Sequence, residues 1–290
     1  MIERRSWRFS DGMLMMALMA LAVVAAMPVW SAIFIRGWKD PEQSHVFLAP
    51  FVIGLLIWVR RERVRLCRPC WSFLGPIAIL AGWALTFIGF RGEWELLEHA
   101  GAAGMLLGAV LTVVGPSCMR KFAAAVGAVV FLFPVPGRIR VRIAGPLENI
   151  SAQITEFGLD LFAIPITRAG NTLTVNNIEV QIAEACNGMR MVAALALVTY
   201  AFVFSVPMRN SVRFAILAVS PLIAIVVNVI RLIPTVLFYG YSSTDVAETF
   251  HDVSGWLMLG VALGLLWCLL QTLRWIEVPI TSYAVVEEQP

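Results

Sequence analysis

Apolar residues fall in long runs along this chain, and charged residues gather between the runs. Eight runs stand out, at roughly 12–35, 46–59, 72–90, 96–115, 120–136, 187–206, 211–239 and 254–273. A helix needs about twenty apolar residues to cross the hydrocarbon core of a bilayer. The second and fifth runs are the shortest. The pattern predicts an all-α polytopic membrane protein: a single integral membrane domain over residues 1–290 with about eight transmembrane helices. The first run carries Arg4, Arg5 and Arg8 ahead of it. It is too long for the apolar core of a signal peptide and more runs follow, so it reads as a retained anchor.

One segment, 137–186, interrupts the apolar pattern with organisation of its own. Leu147, Ile150, Ile154, Phe157 or Gly158, and Leu161 recur at helical spacing. That spacing predicts an amphipathic helix over 145–163, lying at the membrane surface and ended by Pro165. Leu173 and Val175, then Ile178, Val180 and Ile182, alternate on either side of Asn176-Asn177. Asparagine tolerates the left-handed conformation, so a small β-hairpin is expected there. Its second strand leads into Cys186 and the apolar run that follows.

Composition agrees with the membrane reading. The chain is 59% hydrophobic and 14% charged, with a mean hydropathy of +0.80, which is outside the range of soluble domains of this size. The net charge of +3 matters less than its distribution. With a cytoplasmic N-terminus, eight spans place Arg4, Arg5, Arg8, Arg60, Arg61, Arg63, Arg65, Arg68, Arg120, Lys121, Arg209, Arg213 and Arg274 inside. Only Arg36, Lys39 and Arg91 fall in the short outer loops. Thirteen against three is a clear inside bias, with the long segment 137–186 left out because long loops cross regardless of charge. Glu93, Glu95 and Glu98 in the outer loop 91–98 agree with it.

This topology sorts the reactive side chains. Cys67, Cys70 and Cys118 fall inside and Cys268 lies within the last span, which leaves Cys186 as the outer-face cysteine, with no disulfide partner in the chain. Cys67-x-x-Cys70 has no second pair or histidine beside it, so no metal and no cofactor are expected. His45, His99 and His251 all fall on the outer side near span ends. Cys186 stands at a predicted helix start, where backbone N–H groups and the helix dipole favour thiolate over thiol. Asn187 follows it, Gly188 leaves room for a peptide to approach, and Arg190, one turn on, adds positive potential. The alternative is a small buried residue at a helix start.

Arg231 lies inside the run 211–239, where a charge costs at least about 2.5 kcal/mol at the helix centre. It must therefore face the bundle interior or a water-filled cleft. Asn228 shares its face one turn earlier, and Pro234 is placed to bend the helix and open a cleft. Structural pairing with an acidic residue such as Glu184 is the other reading of Arg231. After a short outer loop, His251 is expected just before the last span.

In order, these are a cysteine at a helix start, an intramembrane arginine and a histidine before the final span. The sequence resembles the exosortase/archaeosortase family of multi-pass membrane cysteine transpeptidases. Ala185-Cys186-Asn187-Gly188-Met189-Arg190, Asn228-x-x-Arg231 and His251-x-x-x-Gly255 carry the resemblance. Ser44-His45, Arg60-Arg61, Pro134-x-Pro136 and Gly170-Asn171 extend it over about 44–265. Asn187 stands where the family usually has serine, and Val46 where a glycine commonly follows the histidine.

The resemblance implies a sorting enzyme with Cys186, Arg231 and His251 catalytic, and with Asn187, Gly188, Arg190, Asn228 and His45 in support. Its partners would be exported proteins ending in a short motif, a transmembrane helix and a basic tail, together with membrane lipid but no nucleic acid. It would sit in the plasma (inner) membrane of a prokaryote, both termini cytoplasmic, with its site on the extracytoplasmic face. Two other readings use the same topology. One is a membrane subunit of an exopolysaccharide export or polymerisation system without thiol chemistry. The other is an intramembrane protease that only hydrolyses.

The charge bias makes topology directly testable. Reporters fused after residues 95, 165 and 245 should register as extracytoplasmic, and those after 65 and 210 as cytoplasmic. A cytoplasmic signal from the first group would overturn both the topology and the outer-face placement of the site.

Overall fold

The computed structural model describes residues 7–40, 43–67, 69–135, 137–182 and 188–275. The chain divides into two compact units, 1–136 and 137–290.

In the first unit, α1 (Phe9–Ala25) and α2 (Met27–Lys39) replace the single straight span expected over 12–35. They meet at a bend of 78°. Pro28 sits in the first turn of α2, where its missing N–H and fixed φ suit a helix start but not the continuation of α1. α3 (His45–Val59) follows, then a 3-10 turn over Arg61–Leu66. α4 (Leu74–Gly92) and α5 (Glu95–Lys121) form an antiparallel pair packed through glycine. A Cβ at Gly82 would stand 2.7 Å from both the Gly101 carbonyl oxygen and the Met105 nitrogen. α5 breaks at Gly115, with φ 77°, just before Pro116, which is where the fourth apolar run was expected to end. α6 (Ala123–Ala128) passes into a 3-10 turn over Val129–Leu132.

The second unit opens with α7 (Gly137–Leu161), which starts eight residues before the expected amphipathic helix. Ile150, Ile154, Phe157 and Leu161 form an exposed apolar stripe along it. Ser151, Ala152, Thr155 and Leu159 lie buried on another side. Such a helix suits a membrane surface on one face and protein on the other.

Three antiparallel strands follow in the order β1 (Ile166–Ala169), β2 (Thr172–Val175), β3 (Ile178–Gln181). Asn176 and Asn177 both have positive φ, 49° and 61°, the requirement of a tight two-residue hairpin turn. Gly170, φ 67°, turns β1 into β2. Arg168 ties β1 to α7 through Glu156 at 2.6 Å and Asn149 at 3.1 Å.

α8 (Gly188–Ser205), α9 (Asn210–Tyr241) and α10 (Thr244–Trp275) complete the unit. α10 starts ten residues before the last apolar run. Asp245 and Glu248 extend the helix beyond its apolar part, since negative charge is favoured at a helix N-terminus.

Among the described residues, α4, α5, α9 and α10 are long and apolar enough to cross a membrane, and the bent α1–α2 pair makes a fifth candidate. Eight spans are not reached on this measure. α3 has 15 residues, about 22 Å of helix against a core of about 30 Å. Ala123–Leu132 and Val192–Ser205 are also short.

The sheet docks on the C-terminal half of α9. Leu173, Val175, Val180 and Ile182 are buried together with Leu232 and Val236 of α9 and Ala152 and Leu159 of α7. Asn176 Nδ2 donates to the Gly240 carbonyl at 3.0 Å. A Cβ at Gly240 would stand 2.5 Å from Val175 Cγ1, and valine has a stiff χ1. Gly240→Ala should therefore cost about 1–3 kcal/mol by overpacking. Adding Val175→Ala should restore part of the loss in thermal unfolding of the detergent-solubilised protein. Additive losses in the double variant would show that the two positions do not press on each other.

Candidate active site

α9 is an apolar helix with Arg213 in its first turn and a second guanidinium, Arg231, deep inside it. Arg231 is 5% exposed, and burial of this kind persists only where polar groups answer the charge. The first answer comes from α10. Arg231 lies ten residues before the end of α9 and His251 seven after the start of α10. At 1.5 Å per residue, both sit about 10–15 Å below the turn joining the two helices. There Arg231 Nη2 lies 3.1 Å from His251 Nε2. Arginine has only donors, so the bond runs from guanidinium to imidazole and the ring carries its proton on Nδ1.

His251 thus sits two turns inside a helix, and not ahead of the helix start as expected from the apolar run. Its backbone carbonyl accepts from Ser254 Oγ at 3.0 Å, and the Arg231 carbonyl accepts from Thr235 Oγ1 at 2.7 Å. Gly255, one turn beyond His251, keeps space beside the guanidinium. A Cβ built there would stand 3.5 Å from Arg231 Nη1, so a longer side chain would press on it.

The opposite flank is built by α7. Asn228, 5% exposed, donates from Nδ2 to Ser151 Oγ at 3.4 Å. The Gly158 Cα faces Ile233: a Cβ there would meet Ile233 Cδ1 at 3.2 Å. α7 therefore runs in the same direction as this part of α9, and Thr155 falls between those two points, level with Arg231 and Leu232. Ser151 and Thr155 were missed by sequence reasoning. Their only signal was two small polar residues four apart on an amphipathic helix, which does not say what that face meets.

The remaining predicted residues divide as follows. Gly188 opens α8, and Arg190 lies in its first turn. Cys186 and Asn187 lie outside the described residues, as does Glu184. Ile182, just before them, is buried in the cluster that holds Leu232, the neighbour of Arg231. His45 opens α3 in the first unit, where it is buried. His99 belongs to that unit too, stacked on Phe133 with ring centroids 5.5 Å apart.

A buried guanidinium beside an imidazole can stabilise developing negative charge and move a proton. No curated protein and no solved structure matches the chain. The family model described as transmembrane exosortase matches residues 37–268 of the 290, a range that includes Cys186, Arg231 and His251. The chain belongs to the transmembrane exosortase family.

Proposed function

We propose that the protein is a sorting cysteine protease or transpeptidase that cleaves the C-terminal signal of exported proteins through a Cys186 thioester. The observation that carries this reading is the 3.1 Å contact between Arg231 and His251, inside a chain of the transmembrane exosortase family. The burial of Ile182 beside Leu232 supports delivery of the following segment to the same helix turn.

The chemistry follows from the donor inventory. In the resting arrangement the guanidinium occupies the His251 Nε2 lone pair. When a peptide carbonyl enters, the guanidinium turns to the oxygen that is becoming negative. Nε2 is then free to take the Cys186 thiol proton. Sulfur bonds to the carbonyl carbon, the C–N bond breaks, and His251 passes that proton to the leaving amine. An acceptor amine, hydroxyl or water then gives its proton to Nε2 and attacks the thioester. The same proton returns to the departing sulfur. Arginine suits this site because it keeps its charge when buried.

The test follows the size of a tailed reporter, an exported protein ending in a short motif, an apolar helix and a basic cluster, in cells carrying each variant. Cys186→Ala and Cys186→Ser should accumulate full-length reporter at normal enzyme abundance. A serine hydroxyl needs far stronger activation than a thiol. Arg231→Lys should lose on the order of 10²–10³ in rate, the usual cost of removing an oxyanion donor. His251→Gln should lose on the order of 10²–10⁴. Normal processing by a stably expressed Cys186→Ala protein would sink the assignment and favour an export subunit without thiol chemistry.

A further inference from the structure

The seam between α7 and α9 holds more hydrogen-bonding capacity than it uses. Asn228 Oδ1 and Thr155 Oγ1 are both buried and have no hydrogen-bond partner among the described residues. The residues are 5% and 0% exposed. The contact that joins the two helices here, Asn228 to Ser151, is long at 3.4 Å. Buried polar atoms are nearly always satisfied, and an unsatisfied one costs about 1–3 kcal/mol. Two such atoms, one on each helix and one of them a turn before Arg231, mark a seam that is better completed by something else.

Their chemistry identifies what that is. Asn228 Oδ1 is an acceptor and Thr155 Oγ1 can donate or accept. Between them they match the N–H and C=O groups of an extended peptide backbone. Neither is charged, so they do not suit a phosphate or a basic tail. The helix that covers them is anchored to the sheet through Arg168, so the Asn228–Ser151 side of the seam is its looser edge. Its Ile150, Ile154, Phe157 and Leu161 stripe is exposed on the side away from the seam, so it adds no directional contact there.

We infer that Asn228, Thr155 and Ser151 form a subsite beneath α7 for the backbone of the sorting-signal peptide next to the scissile bond. This rests on the proposed function above. Asn228 Oδ1 and Thr155 Oγ1 take the peptide backbone while the Asn228–Ser151 contact stays in place. Ser151 holds the Asn228 amide and is a positioning residue.

The test uses the full-length protein in detergent micelles and synthetic peptides covering the motif and first apolar turn of a tailed exported protein. In each peptide one backbone amide other than the scissile one is replaced by an ester, which deletes a single N–H. For the wild-type enzyme, kcat/KM should fall about tenfold at one position, the value of one hydrogen bond. Asn228→Leu should start lower and lose less than twofold further from that same ester. Ser151→Ala should blunt the ester penalty, and Ser151→Thr should restore it. Should Asn228→Leu fail to fold, the Ser151 pair of variants decides, because deleting one hydroxyl from a helix is mild. An undiminished ester penalty in Asn228→Leu or in Ser151→Ala, or no penalty at any position in the wild type, overturns the subsite. Cleavage of the all-amide peptide by Cys186→Ala would instead overturn the thiol mechanism, leaving the ester result to be read separately.

Discussion

The arrangement of the second unit depends on one buried charge. A guanidinium within an apolar helix must meet a polar partner, and the Arg231–His251 contact at 3.1 Å supplies one. That requirement fixes the register of α9 against α10. A slip of one turn would move the groups about 5.4 Å apart along the axis and break this contact. Apolar packing alone is less particular, since Val227, Ile223 and Ala224 of α9 could meet Met258, Ala262 and Leu266 of α10 in more than one register. The polar pair selects among them, a specifying use of buried polarity known from other helix pairs.

The rest of the unit is arranged around that turn. α7 covers one flank, with Gly158 against Ile233 and Ser151 against Asn228. The sheet covers the end of α9 through Val175, Ile182 and the Asn176–Gly240 hydrogen bond. Arg168 joins sheet and helix into one body by reaching Glu156 and Asn149. α7 thus presents separate faces to the sheet and to α9, and leaves an apolar stripe exposed.

Some of this was legible in the sequence and some was not, for physical reasons. Arg231 announced itself because a charge within an apolar run has few tolerable explanations. The hairpin was legible because Asn176-Asn177 tolerates positive φ between alternating apolar residues. β1 was not foreseen, although Gly170-Asn171 marks a turn of the same kind; Ile166–Ala169 has too few apolar positions to show alternation. Hydropathy located the apolar parts of helices and not their ends. For that reason the apolar run marks a start at 254, whereas α10 begins at Thr244 and takes in His251. The bend at Ala26 was hidden because Pro28 lies within an apolar run, where hydropathy registers no break. Ser151 and Thr155 could not be singled out, since which face of an amphipathic helix meets protein depends on tertiary contacts.

In the proposed mechanism these elements divide the work by how much geometry each step tolerates. Charge stabilisation falls off when donors are misplaced by a fraction of an ångström, so Arg231 and His251 belong on long paired helices, which hold side chains more accurately than loops do. The nucleophile must instead approach the carbonyl, form a bond and release it, and Cys186 belongs to the short segment between β3 and α8. The resting bond between Arg231 and His251 adds a further control. While the guanidinium holds the imidazole lone pair, the base has no free site for a proton. In the proposed mechanism a carbonyl whose oxygen attracts the guanidinium releases it. Occupancy by substrate and availability of the base are then the same event, which limits thiol activation to the moment when a peptide is there to be attacked.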